Sequence, residues 1–141
     1  MTTDKKIRIM VVDDHFVVRM GLKGSIDLEQ DMVVTIEAPT GEQAVALYRQ
    51  EQPDIVLMDI TMPQMEGIEA ADRIVRQHPE ARVVMVSSVG YQENIVAALQ
   101  KGARHFVQKP VKPEVLYEVI KYVMGEDAIS QPAAGTNGAS L

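Results

Sequence analysis

The chain has 141 residues, of which 46% are hydrophobic and 24% charged, and this is the size and composition of one folded domain with a buried core. Its net charge of −6 argues against a general binder of nucleic acid or anionic membrane, because such partners attract clustered positive charge. The absence of cysteine excludes disulfides, thiolate catalysis and Cys-based zinc sites. No apolar stretch approaches the ~20 residues that span a bilayer, and no signal-peptide core follows the polar start, so we expect a cytoplasmic protein without membrane insertion.

Five short apolar segments alternate along the chain with five amphipathic ones. The apolar segments are rich in β-branched residues, which is typical of strands buried on both faces of a parallel sheet. They cover residues 7–12, 32–36, 55–58, 83–86 and 105–107. The segments between them and after the last repeat apolar residues at helical spacing. This alternation predicts an α/β fold, with a five-stranded parallel sheet, right-handed crossovers and helices on both faces.

Two helix starts carry capping signals. Asp14 is a suitable N-cap for a first helix that reaches about Leu28. Thr40 and Gln43 have the spacing of a capping box, which predicts the start of the second helix. We expect the last helix to end near Gly125 and the Ala/Gly/Ser-rich segment 126–141 to be a disordered tail or a linker stub.

Polar side chains follow four of the predicted strands, at the edge where an open parallel sheet binds its ligands. They are Asp13, Asp14, Asp59, Ser87 and Lys109. Three carboxylates that converge there repel each other by about 4 kcal/mol per pair at ~4 Å and an effective dielectric of ~20. A positive group must offset that cost, and oxygen donors of this kind suit Mg²⁺, with the Lys109 ammonium as a second positive charge.

Carboxylates, a hydroxyl, a lysine and a divalent cation are the groups that phosphoryl transfer uses. The chain has no GxxxxGK[ST] motif and no glycine-rich fingerprint after the first strand, so nucleotide binding is poorly supported. A carboxylate can itself accept the phosphoryl group. Asp59, which stands alone after the third strand, is the best placed acceptor.

Four motifs together resemble the response-regulator receiver domain of two-component signalling, over residues 6–125. They are VVDD at 11–14, DITMP at 59–63 followed by Gly67, VSS at 86–88 and GARHFVQKP at 102–110. Each motif is weak alone, but their order and spacing are specific. The resemblance implies the strand order 2-1-3-4-5 of a doubly wound, flavodoxin-like (βα)5 fold.

The resemblance also implies a phosphorylation site. Asp59 is then the phospho-acceptor, and Asp13, Asp14 and Asp59 with the backbone carbonyl of Thr61 hold Mg²⁺. Ser87 is expected to bond a phosphoryl oxygen and Lys109 to pair with the phosphoryl group. The domain is accordingly a signalling module that catalyses only its own phosphotransfer and autodephosphorylation, and not an enzyme acting on other substrates.

The same resemblance implies how a signal leaves the site. Ser87 moves towards the phosphoryl group and Phe106, on the fifth strand, turns inward into the space that opens. The family further implies a cis bond between Lys109 and Pro110, and an output face made of the fourth helix, fifth strand and fifth helix. The expected partners are a sensor histidine kinase or phosphotransfer protein, a downstream protein target and, after phosphorylation, a second copy of the chain, but not nucleic acid directly.

Several alternatives stay open at this point. A flavodoxin-like FMN binder and an Asp-nucleophile phosphatase share parts of the pattern, but Asp13 and Asp14 would repel the FMN phosphate, and the phosphatase motif requires an acid where this chain has Thr61. A docking pseudo-receiver and the receiver module of a truncated DNA-binding regulator are two further readings. No helix-turn-helix pattern follows Gly125, which favours a single-domain regulator. We assign His15, His78 and His105 no chemistry.

Overall fold

The computed structural model describes residues 5–60, 67–88 and 92–128, and within the last range it describes residues 92–94 and 126–128 by their backbone alone. Five strands and five helices alternate in these residues, as the sequence predicts. The strands are β1 (Ile7–Val12), β2 (Met32–Ala38), β3 (Ile55–Asp59), β4 (Val83–Ser87) and β5 (His105–Gln108). The helices are α1 (Phe16–Asp27), α2 (Gly41–Glu51), α3 (Gly67–Gln77), α4 (Gln92–Gln100) and α5 (Pro113–Ala128).

All five strands are parallel and lie in the order β2-β1-β3-β4-β5, which confirms the predicted topology. The chain therefore reverses direction across the sheet after β2, and the switch point lies between β1 and β3. In the register of the sheet, Asp59 pairs with Val86, and Ser87 pairs with Gln108. Because the strands are parallel, their carboxyl ends lie at one edge of the sheet, and the candidate site lies beyond the ends of β1, β3, β4 and β5.

Two apolar clusters, one on each face of the sheet, form the core. On one face Met10, Met58 and Met85 of the strands pack with residues of α2, α3 and α4. On the other, Ile9 and Leu57 pack with residues of α1 and α5. Alternate residues of a strand point to opposite faces, so a strand buried on both faces is apolar throughout, and this is why these strands appear as continuous apolar runs in the sequence.

The start of α1 differs from the sequence-based expectation. The helix begins at Phe16, its N-cap is His15, and no side chain caps it, so the assignment of Asp14 as N-cap was wrong. The neighbouring carboxylate performs a related task, because Asp13 Oδ1 accepts a hydrogen bond from the His15 backbone N–H at 2.9 Å. At α2 the prediction is confirmed: the Thr40 hydroxyl accepts from the Gln43 N–H at 3.1 Å.

The last helix runs to Ala128, past the boundary expected near Gly125. The rest of the predicted tail, residues 129–141, lies outside the described residues, as do Thr61 and the other residues of 61–66 and residues 89–91. Among the described helices, none is both long and apolar enough to cross a membrane.

Candidate functional site

Three carboxylates meet beyond the carboxyl ends of β1 and β3. Asp13 and Asp14 directly follow β1, and Asp59 is the last residue of β3. Asp13 is 1% exposed and Asp59 5% exposed, whereas Asp14 is partly exposed. Ligand atoms of these three residues and of His15 all lie within 4.8 Å of one another. The sequence predicted this convergence of carboxylates, and the adjacency of β1 and β3 in the sheet produces it.

Lys109 supplies positive charge to two of the three carboxylates. Its Nζ donates hydrogen bonds to Asp13 Oδ2 at 3.3 Å and to Asp59 Oδ1 at 3.2 Å. The lysine follows β5 and is joined to Pro110 by a cis peptide bond, as the family resemblance implies. Its backbone N–H donates to the Ser87 carbonyl at 2.6 Å, so the end of β4 and the position of Lys109 are fixed together.

Burial and neighbouring charges together raise the pKa values of Asp59 and Lys109. Burial is the main reason that the pKa of Asp59 is raised, and the charge of Asp13 raises it further, while Lys109 opposes the shift. Burial alone would lower the pKa of Lys109, but the charges of Asp59 and Asp13 outweigh it, so this pKa is raised as well. Lys109 therefore stays charged at neutral pH, and the negative charge of Asp59 is held at an energetic cost.

Ser87, predicted to bond a phosphoryl oxygen, is the last residue of β4 and is 2% exposed. Its Oγ is buried and has no hydrogen-bond partner. A buried hydroxyl without a partner costs free energy, and native proteins keep few such groups. The hydroxyl is thus free to bond a group that enters the site.

We expect Ser87→Ala to raise the free energy of unfolding by up to about 1 kcal/mol, because it removes a buried hydroxyl that makes no hydrogen bond. Urea unfolding of the metal-free protein measures this. Thr40→Ala is the matched control, because the Thr40 hydroxyl does accept a hydrogen bond. Its free energy of unfolding should fall by about 1 kcal/mol. A loss of more than about 1 kcal/mol in Ser87→Ala would show that its hydroxyl has a partner in solution.

Arg19 holds the backbone that carries the acidic pair, a role that the sequence did not reveal. Its Nη1 donates to the Asp13 carbonyl at 2.7 Å, and its Nε lies 3.2 Å from Glu37 Oε1. The guanidinium also lies over the Phe16 ring, 5.7 Å from its centroid. Arg19 thereby links the first turn of α1 to the ends of β1 and β2. No spacing rule in the sequence indicates this contact, because Asp13 lies before the helix that carries Arg19.

His15 also lies in the site, although no chemistry was assigned to it from the sequence. Its Nδ1 is 3.1 Å from Asp13 Oδ1 and 3.2 Å from Asp14 Oδ1. The side chain is 65% exposed. Sequence reasoning missed the direction of the ring, because exposure and proximity to a site are independent properties.

Phe106, the predicted switch residue, is 36% exposed on β5 and faces outward. Its ring lies 5.8 Å from that of His105, whose ring is 5.7 Å from that of Tyr122 on α5. The aromatic residues form part of the surface made by α4, β5 and α5. Among the described residues, the large apolar side chains exposed on α4, β5 and α5 are Val96, Leu99, Phe106, Val115 and Tyr122.

The donor set of the acidic cluster fits a hard divalent cation. Oxygen atoms of three carboxylates are the ligands that Mg²⁺ takes from proteins, with water and phosphate oxygens completing its shell. Asp14 Oδ1 is buried and accepts no hydrogen bond, although it lies near the His15 ring, so its lone pairs are available to a cation. Thr61, whose carbonyl was expected to be a further ligand, lies outside the described residues.

Comparison with known proteins places this arrangement in a family. Residues 9–121 match the model of the response regulator receiver domain. The chain belongs to the response regulator receiver family. Receiver domains are signalling domains of two-component systems, so the fold, the family resemblance and the position of the site agree.

Relatives of this receiver include single-domain and longer proteins. The chain is 41% identical to the chemotaxis protein CheY of Bacillus subtilis, over 80% of this chain and 93% of that protein. It is 36% identical to the transcriptional regulatory protein YhcZ of the same organism, over 88% of this chain but only 58% of that protein. The receiver thus spans almost all of one relative and little more than half of the other.

Solved receiver structures superpose on the fold described above. The response regulator domain of Thermotoga maritima CheB matches with a TM-score of 0.80 and 36% identity, over 86% of this chain and 98% of that one. A two-component response regulator of the LuxR family from Aurantimonas matches with a TM-score of 0.81 and 34% identity, over 86% of each chain. These likenesses support the fold and its strand order.

Proposed function

We propose that Asp59 accepts a phosphoryl group from a histidine kinase or a phosphotransfer protein in a Mg²⁺-dependent reaction. The proposal depends on one observation, the convergence of Asp13, Asp14 and Asp59 with the ammonium of Lys109. Two nearby polar atoms, Asp14 Oδ1 and Ser87 Oγ, lack hydrogen-bond partners. A cation and a phosphoryl oxygen would satisfy these atoms and offset the repulsion among the carboxylates.

In the proposed transfer, an Asp59 carboxylate oxygen attacks the phosphorus atom of the donor. The new O–P bond forms as the bond from phosphorus to the leaving group breaks, and the leaving group keeps that electron pair. Lys109, which already contacts Asp59 Oδ1, neutralises charge that gathers on the phosphoryl oxygens. The carboxylate must be ionised to attack, so the raised pKa of Asp59 favours reaction at neutral rather than acidic pH.

Asp13 and Asp14 are proposed to hold the metal ion, and the Asp13 backbone is kept in place by Arg19. Mg²⁺, when bound, supplies positive charge that brings the phosphoryl oxygens and the carboxylates together. Thr61 is proposed as a further ligand through its carbonyl. We also propose that the protein is cytoplasmic, because histidine kinases take their phosphoryl group from ATP in that compartment.

Phosphorylation is proposed to act on partners through the surface of α4, β5 and α5. It adds roughly −1.5 to −2 charges at Asp59, and the unpartnered Ser87 hydroxyl is the group that can respond to them. A charge-assisted hydrogen bond contributes about 1.5 to 3 kcal/mol, whereas a swing from 1:99 to 99:1 needs about 5.5 kcal/mol. Ser87 and Lys109 therefore cause a partial shift, including inward movement of Phe106, and a protein partner completes it.

The downstream partner is proposed to be a protein, with a second phosphorylated copy of the chain as one form of it. The exposed apolar residues of that surface support this, since contacts of this kind bury apolar side chains. We propose residues 1–125 as the receiver proper and the segment that follows as a tail or linker.

A second candidate is the receiver of a longer transcriptional regulator, which the match to 58% of YhcZ favours. The coding sequence downstream of codon 141 discriminates between the candidates. A reading frame that continues into a helix-turn-helix region would support the longer regulator, and a stop codon would support the single-domain form.

Intact mass after incubation with acetyl phosphate and Mg²⁺ tests the proposed phosphorylation. We expect one phosphoryl group on the wild type, none on Asp59→Asn and none on the wild type without metal. A folded wild type that binds Mg²⁺ but gains no mass would instead identify a docking pseudo-receiver. Phosphorylation that persists in Asp59→Asn would show that another residue is the acceptor.

A further inference from the structure

His15 is placed between two carboxylates of the acidic cluster. Its Nδ1 lies 3.1 Å from Asp13 Oδ1 and 3.2 Å from Asp14 Oδ1. A local hydrogen bond to Asp13 explains the first distance, since the His15 backbone N–H donates to the same oxygen. It does not explain the second, because Asp14 Oδ1 accepts no hydrogen bond in this arrangement.

The distances match those between ligands of one metal ion. Metal–nitrogen and metal–oxygen bonds of a first-row ion are roughly 2.0 to 2.2 Å long, so two adjacent ligands are separated by roughly 2.9 to 3.5 Å. Both nitrogen–oxygen distances at His15 fall in that range. Lys109 does not obstruct such an ion, because it contacts Asp13 through Oδ2 whereas the imidazole faces Oδ1.

We propose that His15 Nδ1 is a ligand of the divalent ion at the acidic site and makes the site selective for borderline first-row ions such as Co²⁺ and Zn²⁺ over Mg²⁺. The inference rests on the proposed metal site and adds a nitrogen donor to it. Imidazole suits these ions, and Mg²⁺ strongly prefers oxygen. Such an ion would compete with Mg²⁺ for the receiver.

Carboxylate sites already bind Co²⁺ more tightly than Mg²⁺, in accordance with the Irving–Williams order. The informative quantity is therefore the ratio of the two affinities, compared between variants at one fixed pH. Isothermal titration calorimetry of the wild type and His15→Gln with each ion measures it. We expect His15→Gln to weaken Co²⁺ binding by about 10- to 100-fold, which is the usual effect of losing a group that tunes a metal site. We expect it to weaken Mg²⁺ binding by less than about threefold, because Mg²⁺ prefers oxygen ligands.

Two control variants separate this role from others. His105→Gln removes an imidazole on β5 that contacts Phe106 and Tyr122, and it should leave the binding of both ions unchanged. Asp13→Asn should weaken the binding of Co²⁺ and of Mg²⁺ alike, because the Asp13 carboxylate is proposed to bind either ion. In the wild type, the nitrogen NMR signal of His15 Nδ1 should shift when Zn²⁺ is added, and the His105 signals should not.

Different results would overturn different parts of the proposal. If Mg²⁺ binds and depends on Asp13, while Co²⁺ binding is the same in wild type and His15→Gln, the role of His15 is wrong and the proposed function stands. Equal weakening or equal strengthening of both ions in His15→Gln also contradicts it, since selectivity would then not reside in the imidazole. If neither ion shows binding that depends on Asp13, the acidic metal site fails as well.

Discussion

Gly67→Ala is expected to destabilise the receiver by about 3 kcal/mol or more and to disturb Asp59, the proposed phospho-acceptor. A Cβ at this position would lie 1.8 Å from the Asp59 carbonyl oxygen and 2.8 Å from its carbonyl carbon. The obstacle is backbone, so no side-chain rotation can relieve the overlap. Relief requires that the first turn of α3 moves away from β3, which would break the hydrogen bond from Gly67 N–H to the Ile60 carbonyl at 2.8 Å.

Two other helical glycines provide matched controls for this substitution. Gly21 and Gly24 lie in α1, and a Cβ at either would meet no atom within 4 Å. Alanine there should stabilise the protein by about 0.5 to 1 kcal/mol, because alanine has the higher helix propensity. Urea unfolding of the three variants measures the contrast. A Gly67→Ala variant as stable as the wild type would show that α3 does not pack this closely on β3.

The order of the elements could be predicted from the sequence because strands and helices left different apolar patterns. Strands buried on both faces are continuous apolar runs, and the helices between them repeat every three to four residues. The strand order came only from the family resemblance, since periodicity carries no information on which strands pair. The start of α1 was predicted wrongly because Asp14 has the chemistry of an N-cap, but the chain enters the helix one residue later, at His15.

The candidate site was predicted as far as strand ends determine it. Asp13, Asp59 and Lys109 converge because each follows a strand of one parallel sheet, a relation visible in the sequence. The contacts of Arg19 and His15 depend on side-chain direction after a turn, which no spacing rule specifies. Gly67 was visible in the sequence as part of the family motif, but its close approach to Asp59 depends on the packing of α3 against β3.

Asp59→Asn is expected to stabilise the metal-free receiver, by about 1 to 2 kcal/mol at neutral pH. Asparagine keeps the size of the side chain but removes a buried negative charge beside Asp13, and Lys109 keeps Asp13 as its partner. The raised pKa of Asp59 means that the folded state binds a proton more tightly than the unfolded state does. Ionisation of Asp59 therefore costs the wild type stability as the pH rises from about 4 through the raised pKa, and the variant is free of that cost.

Urea unfolding across this pH range, with and without Mg²⁺, tests the origin of the effect. The advantage of Asp59→Asn should be small near the ordinary aspartate pKa of 3.8, grow with pH and then level off. Asp31→Asn is the control of opposite sign, because the hydrogen bond from Lys121 lowers the pKa of Asp31 and the charge should stabilise the fold above that pKa. Mg²⁺ at about 100 times its Kd adds about 2.7 kcal/mol to the free energy of unfolding of a protein that binds it. Asp59→Asn has lost one carboxylate of the site and should gain less, so Mg²⁺ should reduce the stability advantage of this variant by more than about 1 kcal/mol. If the stability advantage of Asp59→Asn changed with neither pH nor Mg²⁺, repulsion at the acidic cluster would not be its cause.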